Sequence, residues 1–116
     1  MKKINNTSLT IKNIGEEVEL YGWVSKKRDL GGLIFIDLRD RTGIIQLVVN
    51  PNNTNYKLAS SLKNEYVIKV IGTIQKRQRE NKNIKTGQIE VEVKKLEIIN
   101  QSIEPPFEIT DNTTAL

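Results

Sequence analysis

"GGLIFIDLRDRTGIIQ", running from Gly31 to Gln46, decides how this chain is read. Taken in twos from Leu33 it alternates. Ile34, Ile36 and Leu38 fall on one face, and Phe35, Asp37 and Arg39 fall on the other. That period belongs to a strand with one buried face. "DRTG" then supplies a tight turn with glycine in last position. "IIQLVVN" continues as a second strand, which Asn50-Pro51 ends. The pair forms a hairpin, and it leaves an aromatic ring, Phe35, in the polar register.

The same periodicity extends outward. In "EEVELYGWVSKKRDL", Val18, Leu20, Gly22 and Val24 alternate with Glu19, Tyr21, Trp23 and Ser25, which predicts a long first strand. Gly22 in its middle predicts a bulge or a sharp bend. After Pro51 the period changes. Tyr56, Leu58, Ala59 and Leu62 recur at helical spacing, with Asn53 or Thr54 as the expected N-cap. "EYVIKVIGTIQKRQ" returns to period two with Ile68, Val70, Gly72 and Ile74 inward. "ENKNIKTG" is a polar, basic hairpin loop, and "QIEVEVKKLEIIN" is a fifth strand with Ile89, Val91 and Val93 inward. Three meandering strands, a helix and a two-strand hairpin form the layout of the OB-fold, an all-β, five-stranded Greek-key barrel with one helix between strands 3 and 4. Closing the barrel also removes exposed strand edges. Residues 1–100 are expected to form this domain, and residues 101–116, with Pro105-Pro106 and no sustained period, a linker.

Composition narrows the chemistry. At 116 residues the chain is one small domain, with room for a core but little for a catalytic cleft as well. Lysine and arginine exceed acids 18 to 14, a formal +4 that leans only weakly toward a polyanionic partner. There is no cysteine, so disulfides, thiol chemistry and cysteine-based metal sites are excluded. There is no histidine, the commonest general base and metal ligand. No catalytic residue, metal site or cofactor is expected in this domain. "MKKINNTSLT" is not followed by an apolar run of signal-peptide length, and no stretch has the length of a membrane span, so the chain is expected to be cytoplasmic, without a membrane partner. The Asn-x-Ser/Thr triplets at Asn6 and Asn112 are then products of an asparagine-rich composition.

An OB barrel usually presents its second and third strands and the flanking loops to oligonucleotides. The polar register there holds Phe35, Asp37, Arg39 and Gln46. Arg77 follows the outward run Lys69, Ile71, Thr73, Gln75, and Glu90 and Glu92 point outward on the fifth strand. An outward ring stacks a base at about 1–3 kcal/mol without specifying it. Specificity needs edge contacts. The amide of Gln46 offers a donor and an acceptor, which matches uracil. The carboxylate of Glu90 accepts two bonds from the N–H groups of guanine, and Arg28 offers donors only, which suits cytosine. Lys26, Lys27, Lys82 and Lys85 can hold phosphates without reading sequence. Each position has a structural alternative. Phe35 can be a core residue at a bulge, Gln46 a solvated strand residue, and Trp23 a cover for the bend. Glu90 can pair with Lys94 or Lys76 as a surface ion pair of little energetic consequence. Asp37, Arg39, Asp40 and Arg41 read as a charge cluster around the turn.

The wording is more specific than the residue types. "VELYGWVSKKRDLGGLIFIDLRDRTGIIQLVVNP" (Val18–Pro51), then "LKNEYVIKVIGTI" and "TGQIEVEVKKLEIIN", closely resembles the N-terminal anticodon-binding domain of bacterial aspartyl-tRNA synthetases. "PPFEITDN" resembles that family's linker into its catalytic domain. Lysyl and asparaginyl relatives share the fold but differ in "RDLGGLIFIDLRDR". The resemblance covers essentially the whole chain. It implies that Phe35 stacks on the middle anticodon base, uracil, and that Gln46 reads its edge. It also implies that Arg28 lies near the third base, cytosine, and that Glu90 reads the first, guanine or queuosine. Arg77 and the Asn81–Lys85 loop, with Lys82 and Asn83, resemble positions of further contact. The partner implied is the anticodon loop of tRNA-Asp. ATP and magnesium belong to a catalytic domain beyond Leu116, so the chain by itself is expected to bind tRNA without activating aspartate. It is expected to be a monomer, and the full-length enzyme a homodimer. Leu30, after Arg28-Asp29, resembles the members that charge tRNA-Asp alone. Two other readings stand beside this one: a freestanding single-stranded nucleic-acid-binding OB protein, and a barrel that docks protein partners.

Overall fold

β1 (Glu17–Leu30) alternates as its sequence dictates, with Val18, Leu20, Gly22 and Val24 buried between partly exposed neighbours. It is long enough to serve two partners. Its first half, from Glu17 to Trp23, pairs antiparallel with β4 (Val67–Lys76), and its second half, from Trp23 to Leu30, with β2 (Leu33–Asp40). β2 pairs with β3 (Gly43–Val49), which pairs parallel with β5 (Ile89–Asn100), and β5 returns antiparallel to β4. The result is a closed barrel in the order β1-β2-β3-β5-β4, with one short helix, α1 (Tyr56–Ser61), between β3 and β4. The computed structural model describes residues 4–101. The expected linker lies outside the described residues beyond Gln101.

The inward registers meet in one core. Leu20, Ile36, Leu38, Leu47, Val70 and Val91 are fully buried, and Leu9, Ala59 and Leu62 join the same cluster from outside the strands. Each such side chain contributes about 1.5–3 kcal/mol by leaving water. That common face fixes strand register, because a one-residue slip would turn the apolar set outward.

The structure moves the bulge that is one of the two features expected at Gly22. The bulge in β1 lies between Val24 and Lys26, beyond the glycine. Gly22 sits where β1 passes from β4 to β2, and a Cβ there would stand 2.3 Å from the Arg39 carbonyl oxygen. The residue is needed for close backbone approach. Gly72 does the same against the Glu92 carbonyl oxygen, at 2.4 Å. Beside it the register of β5 shifts, so Lys94 and Lys95 both face out and Leu96 turns in.

The N-cap of α1 is Asn55, one residue past the expected pair, and its side chain makes no cap bond. Instead Asn55 Oδ1 accepts the Leu96 N–H at 3.1 Å. Asn53 Nδ2 donates to the Val93 carbonyl at 2.7 Å. These asparagines fasten the helix entry to β5. Asn6 is fully buried. Its Nδ2 donates to the Leu38 and Gly43 carbonyls, and its N–H to Asp40 Oδ2. The triplet at Asn6 is therefore a structural plug under the β2–β3 turn.

Candidate nucleic-acid interface

The outer registers of all five strands meet in one groove of about 860 Å³, bordered by the β1–β2 tip at Leu30 and Leu33 and by Arg77–Arg79 after β4. Phe35 lies on its floor, half-buried and facing outward, between Arg28 on β1 and Val48 on β3 in the strand register. The core alternative for Phe35 is excluded by its neighbours Ile34 and Ile36, which take the inward register.

Gln46 and Glu90 face each other directly across the parallel β3–β5 pair. Both are buried, 5% and 8% exposed, so Gln46 is not a solvated strand residue. Gln46 Nε2 donates to Glu90 Oε1 at 2.8 Å, and Gln75 Nε2 donates to Glu90 Oε2 at 2.8 Å. Arg28 Nη2 donates to Gln46 Oε1 and to Asp37 Oδ1, each at 3.1 Å. The surface ion pair considered for Glu90 does not form, and Lys94 pairs with Glu92 at 3.3 Å instead. A carboxylate this deeply buried and met only by neutral amides is costly unless something further compensates it.

Asp37 and Gln75 hydrogen-bond to Arg28 and Glu90, a supporting role that the residue pattern did not assign to them. Asp37 read as part of the turn cluster, yet it pairs with Arg28 while Asp40 alone organises the turn. Its place two residues from Phe35 on the same face was the available signal. Gln75 meets Glu90 through the β4–β5 register, which no local pattern encodes.

Arg77 lines the groove, with its N–H donated to the Gln88 carbonyl at 3.0 Å. Its Nε and that of Arg28 are buried without a hydrogen-bond partner, two of the three such side-chain atoms among the described residues. Both atoms are enclosed by protein, so they are not open to a ligand in the groove as it stands. Lys82 and Asn83 do not line the groove. They sit exposed on the β4–β5 loop, which closes on itself through Asn81 and Gly87 and is tied to β3 by Thr86 Oγ1 donating to the Ile44 carbonyl. Lys27 Nζ donates to the Ser60 carbonyl, so it is engaged by the helix end. Trp23 is not part of the groove lining.

Asp40 behaves as the turn residue expected. Burial acts to raise its pKa, but hydrogen bonds from the Thr42 hydroxyl and from the N–H groups of Asn6, Thr42 and Gly43 outweigh it and hold the carboxyl below 3.8. Away from the groove, Tyr21 donates to Glu19 Oε2 at 2.7 Å, and that bond raises the phenol above 10.0. Among the described residues there is no cluster of acidic, histidine or cysteine side chains able to hold a metal. No helix there is long and apolar enough to cross a membrane.

Over 107 residues the chain is 55% identical to aspartate–tRNA ligase 2 of Streptococcus mutans, covering 90% of this chain and 18% of that ligase. It is 52% identical to the aspartate–tRNA(Asp/Asn) ligase of a Geobacillus species, again over 90% of this chain and 18% of the relative. The chain thus spans about a fifth of the length of these relatives. Among solved structures, asparaginyl-tRNA synthetase from Pyrococcus horikoshii, complexed with asparaginyl-adenylate, superposes with a TM-score of 0.76 at 32% identity, over 86% of this chain and 23% of that one. A family model described as an OB-fold nucleic acid binding domain matches residues 18–104, and the chain belongs to that tRNA anti-codon family.

Proposed function

We propose that the chain is the anticodon-recognition module of an aspartate–tRNA ligase, selecting tRNA-Asp by stacking and edge readout of its anticodon. The observation that carries this reading is the groove itself: an outward, half-buried ring beside buried polar readers, on a barrel of a nucleic-acid-binding family. Single-stranded RNA loops are recognised in this way, by splaying bases onto aromatic platforms and bonding their exposed edges. Phe35 stacks the middle base, uracil. Gln46 has spent one N–H and one lone pair inside the protein, which leaves one of each for the uracil edge. Glu90 keeps lone pairs for the two N–H groups of guanine at the first position. Arg28 and Arg77 bring guanidinium groups to the groove lining, Arg28 toward cytosine at the third. Lys82 and Asn83 meet the loop backbone from outside the groove.

In this reading residues 101–116 lead toward a catalytic domain that uses ATP and magnesium to form aspartyl-tRNA in the cytoplasm. The whole ligase is a homodimer, and this chain alone is a monomer. Leu30, exposed at the groove's edge, points to a ligase that charges tRNA-Asp only by its resemblance to such members and not by its placement. Titration with synthetic anticodon stem-loops tests the proposal. A loop carrying GUC is expected to bind more tightly than one carrying an unrelated triplet, and equal affinities would overturn it.

A further inference from the structure

Four polar side chains of the groove and Asp37, which stands outside its lining, form one connected chain with a single residue from each of the five strands. Arg28 on β1 donates to Asp37 on β2 and to Gln46 on β3. Gln46 donates to Glu90 on β5, which also accepts from Gln75 on β4. Arginine only donates and a carboxylate only accepts. The Gln46 amide therefore has one permitted orientation, oxygen toward Arg28 and nitrogen toward Glu90. Turning it over would set its NH₂ against the guanidinium and its oxygen against the carboxylate, replacing two attractions with two repulsions.

That constraint bears on base choice. A glutamine amide free to turn over matches two pyrimidines. In one orientation its donor and acceptor meet O4 and N3–H of uracil. In the other they meet N3 and the N4 amino group of cytosine. Only an amide held in one orientation tells them apart. Neither Arg28 nor Glu90 is held by its own strand. Arg28 is drawn into place by Asp37, and the second oxygen of Glu90 is fixed by Gln75.

We infer that Asp37 and Gln75 are positioning residues whose hydrogen bonds lock the Gln46 amide in one orientation, and that this lock makes the middle-base reader select uracil over cytosine. The inference rests on the anticodon reading proposed above and adds to it how one pyrimidine is refused. Asp37 and Gln75 themselves need not touch the base.

The test pairs two readouts on the 116-residue chain. In the free protein, ¹⁵N NMR should show the two Gln46 side-chain amide protons well dispersed and slow to exchange. Asp37→Asn and Gln75→Leu should each move them toward solvent-like values. In binding, dissociation constants for stem-loops carrying GUC and GCC should differ at least about tenfold in the unsubstituted chain, the size expected of one well-placed edge contact. That ratio should collapse toward unity in either variant, chiefly through tighter binding of GCC, while GUC affinity changes by less than about threefold. A residue that merely supported the fold would weaken both loops alike. Unmoved Gln46 resonances in both folded variants overturn the lock whatever the RNA does. An unsubstituted chain that binds GUC well but does not disfavour GCC overturns the selectivity and leaves anticodon binding standing. An unsubstituted chain that binds neither loop better than an unrelated one overturns the anticodon reading, and the NMR comparison still decides whether Asp37 and Gln75 position Gln46.

Discussion

Asp40 and Glu90 are both carboxylates that gather hydrogen bonds, and they do so in opposite ways. Asp40 takes its donors from nearby turn residues and from the N-terminal segment: the Thr42 hydroxyl at 2.6 Å, the Thr42 N–H at 2.8 Å, the Gly43 N–H at 3.2 Å and the Asn6 N–H at 2.8 Å. Its acceptor capacity is filled mainly by backbone. Glu90 is more deeply buried yet takes only two amide donors, both from side chains on other strands. A saturated carboxylate holds a turn together. An under-filled one, placed in a groove, is ready for a ligand. Gln46 and Glu90 retain hydrogen-bonding capacity that the fold does not use, and the proposed readout draws on it.

Substitution should separate the two carboxylates. The largest effect is expected from Glu90→Ala. Loss of two charge-assisted bonds to the first anticodon base should weaken binding of a GUC loop by about 3 kcal/mol. The melting temperature should change little, because removing a buried carboxylate met only by neutral amides offsets the loss of its two hydrogen bonds. Calorimetric titration and thermal melts check this together, and a stability loss as large as the binding loss would erase the contrast with Asp40. Phe35→Ala should cost about 1–3 kcal/mol of loop affinity if the ring stacks a base. Binding unchanged in a folded variant would leave the ring without a reading role.

Asp40→Ala should reverse the pattern. About 1–2 kcal/mol of stability is expected to go, read from urea unfolding, with loop affinity unaltered. The pH dependence sharpens the point. The folded-state pKa of Asp40 lies below its ordinary 3.8, so its contribution is fully present above that value and is lost as pH falls through the depressed one. Urea midpoints followed downward from about pH 5 should fall more steeply for the unsubstituted chain than for Asp40→Asn. The smallest effect is expected at Lys82, which stands outside the groove. Lys82→Ala should weaken all loops alike and flatten the salt dependence by about 0.7 in log–log slope, as loss of one phosphate contact does for single strands.

Much of this was legible in the sequence because alternation is local. The outward facing of Phe35 follows from Ile34 and Ile36 taking the other side, and the "DRTG" turn announced the role of Asp40. The five strands and the helix appear where their periods place them. The phase slip after Val93 was hidden, because a bulge depends on where β4 and β5 meet. The N-cap falls at Asn55, whose side-chain oxygen is taken by the Leu96 N–H of β5 and so makes no cap bond. Asn6 gave no signal, since only the closed barrel creates the space it fills.

The sequence by itself determined the strands, their inward faces and the set of residue types on the outer face, because side-chain direction in a strand repeats every two residues. Only the tertiary structure decided that Gln46 and Glu90, 44 positions apart, share a hydrogen bond, and that Arg28, Asp37 and Gln75 hold them. That contact exists because the barrel closes through a parallel β3–β5 pair, and closure is a property of the whole sheet that no single stretch of chain contains.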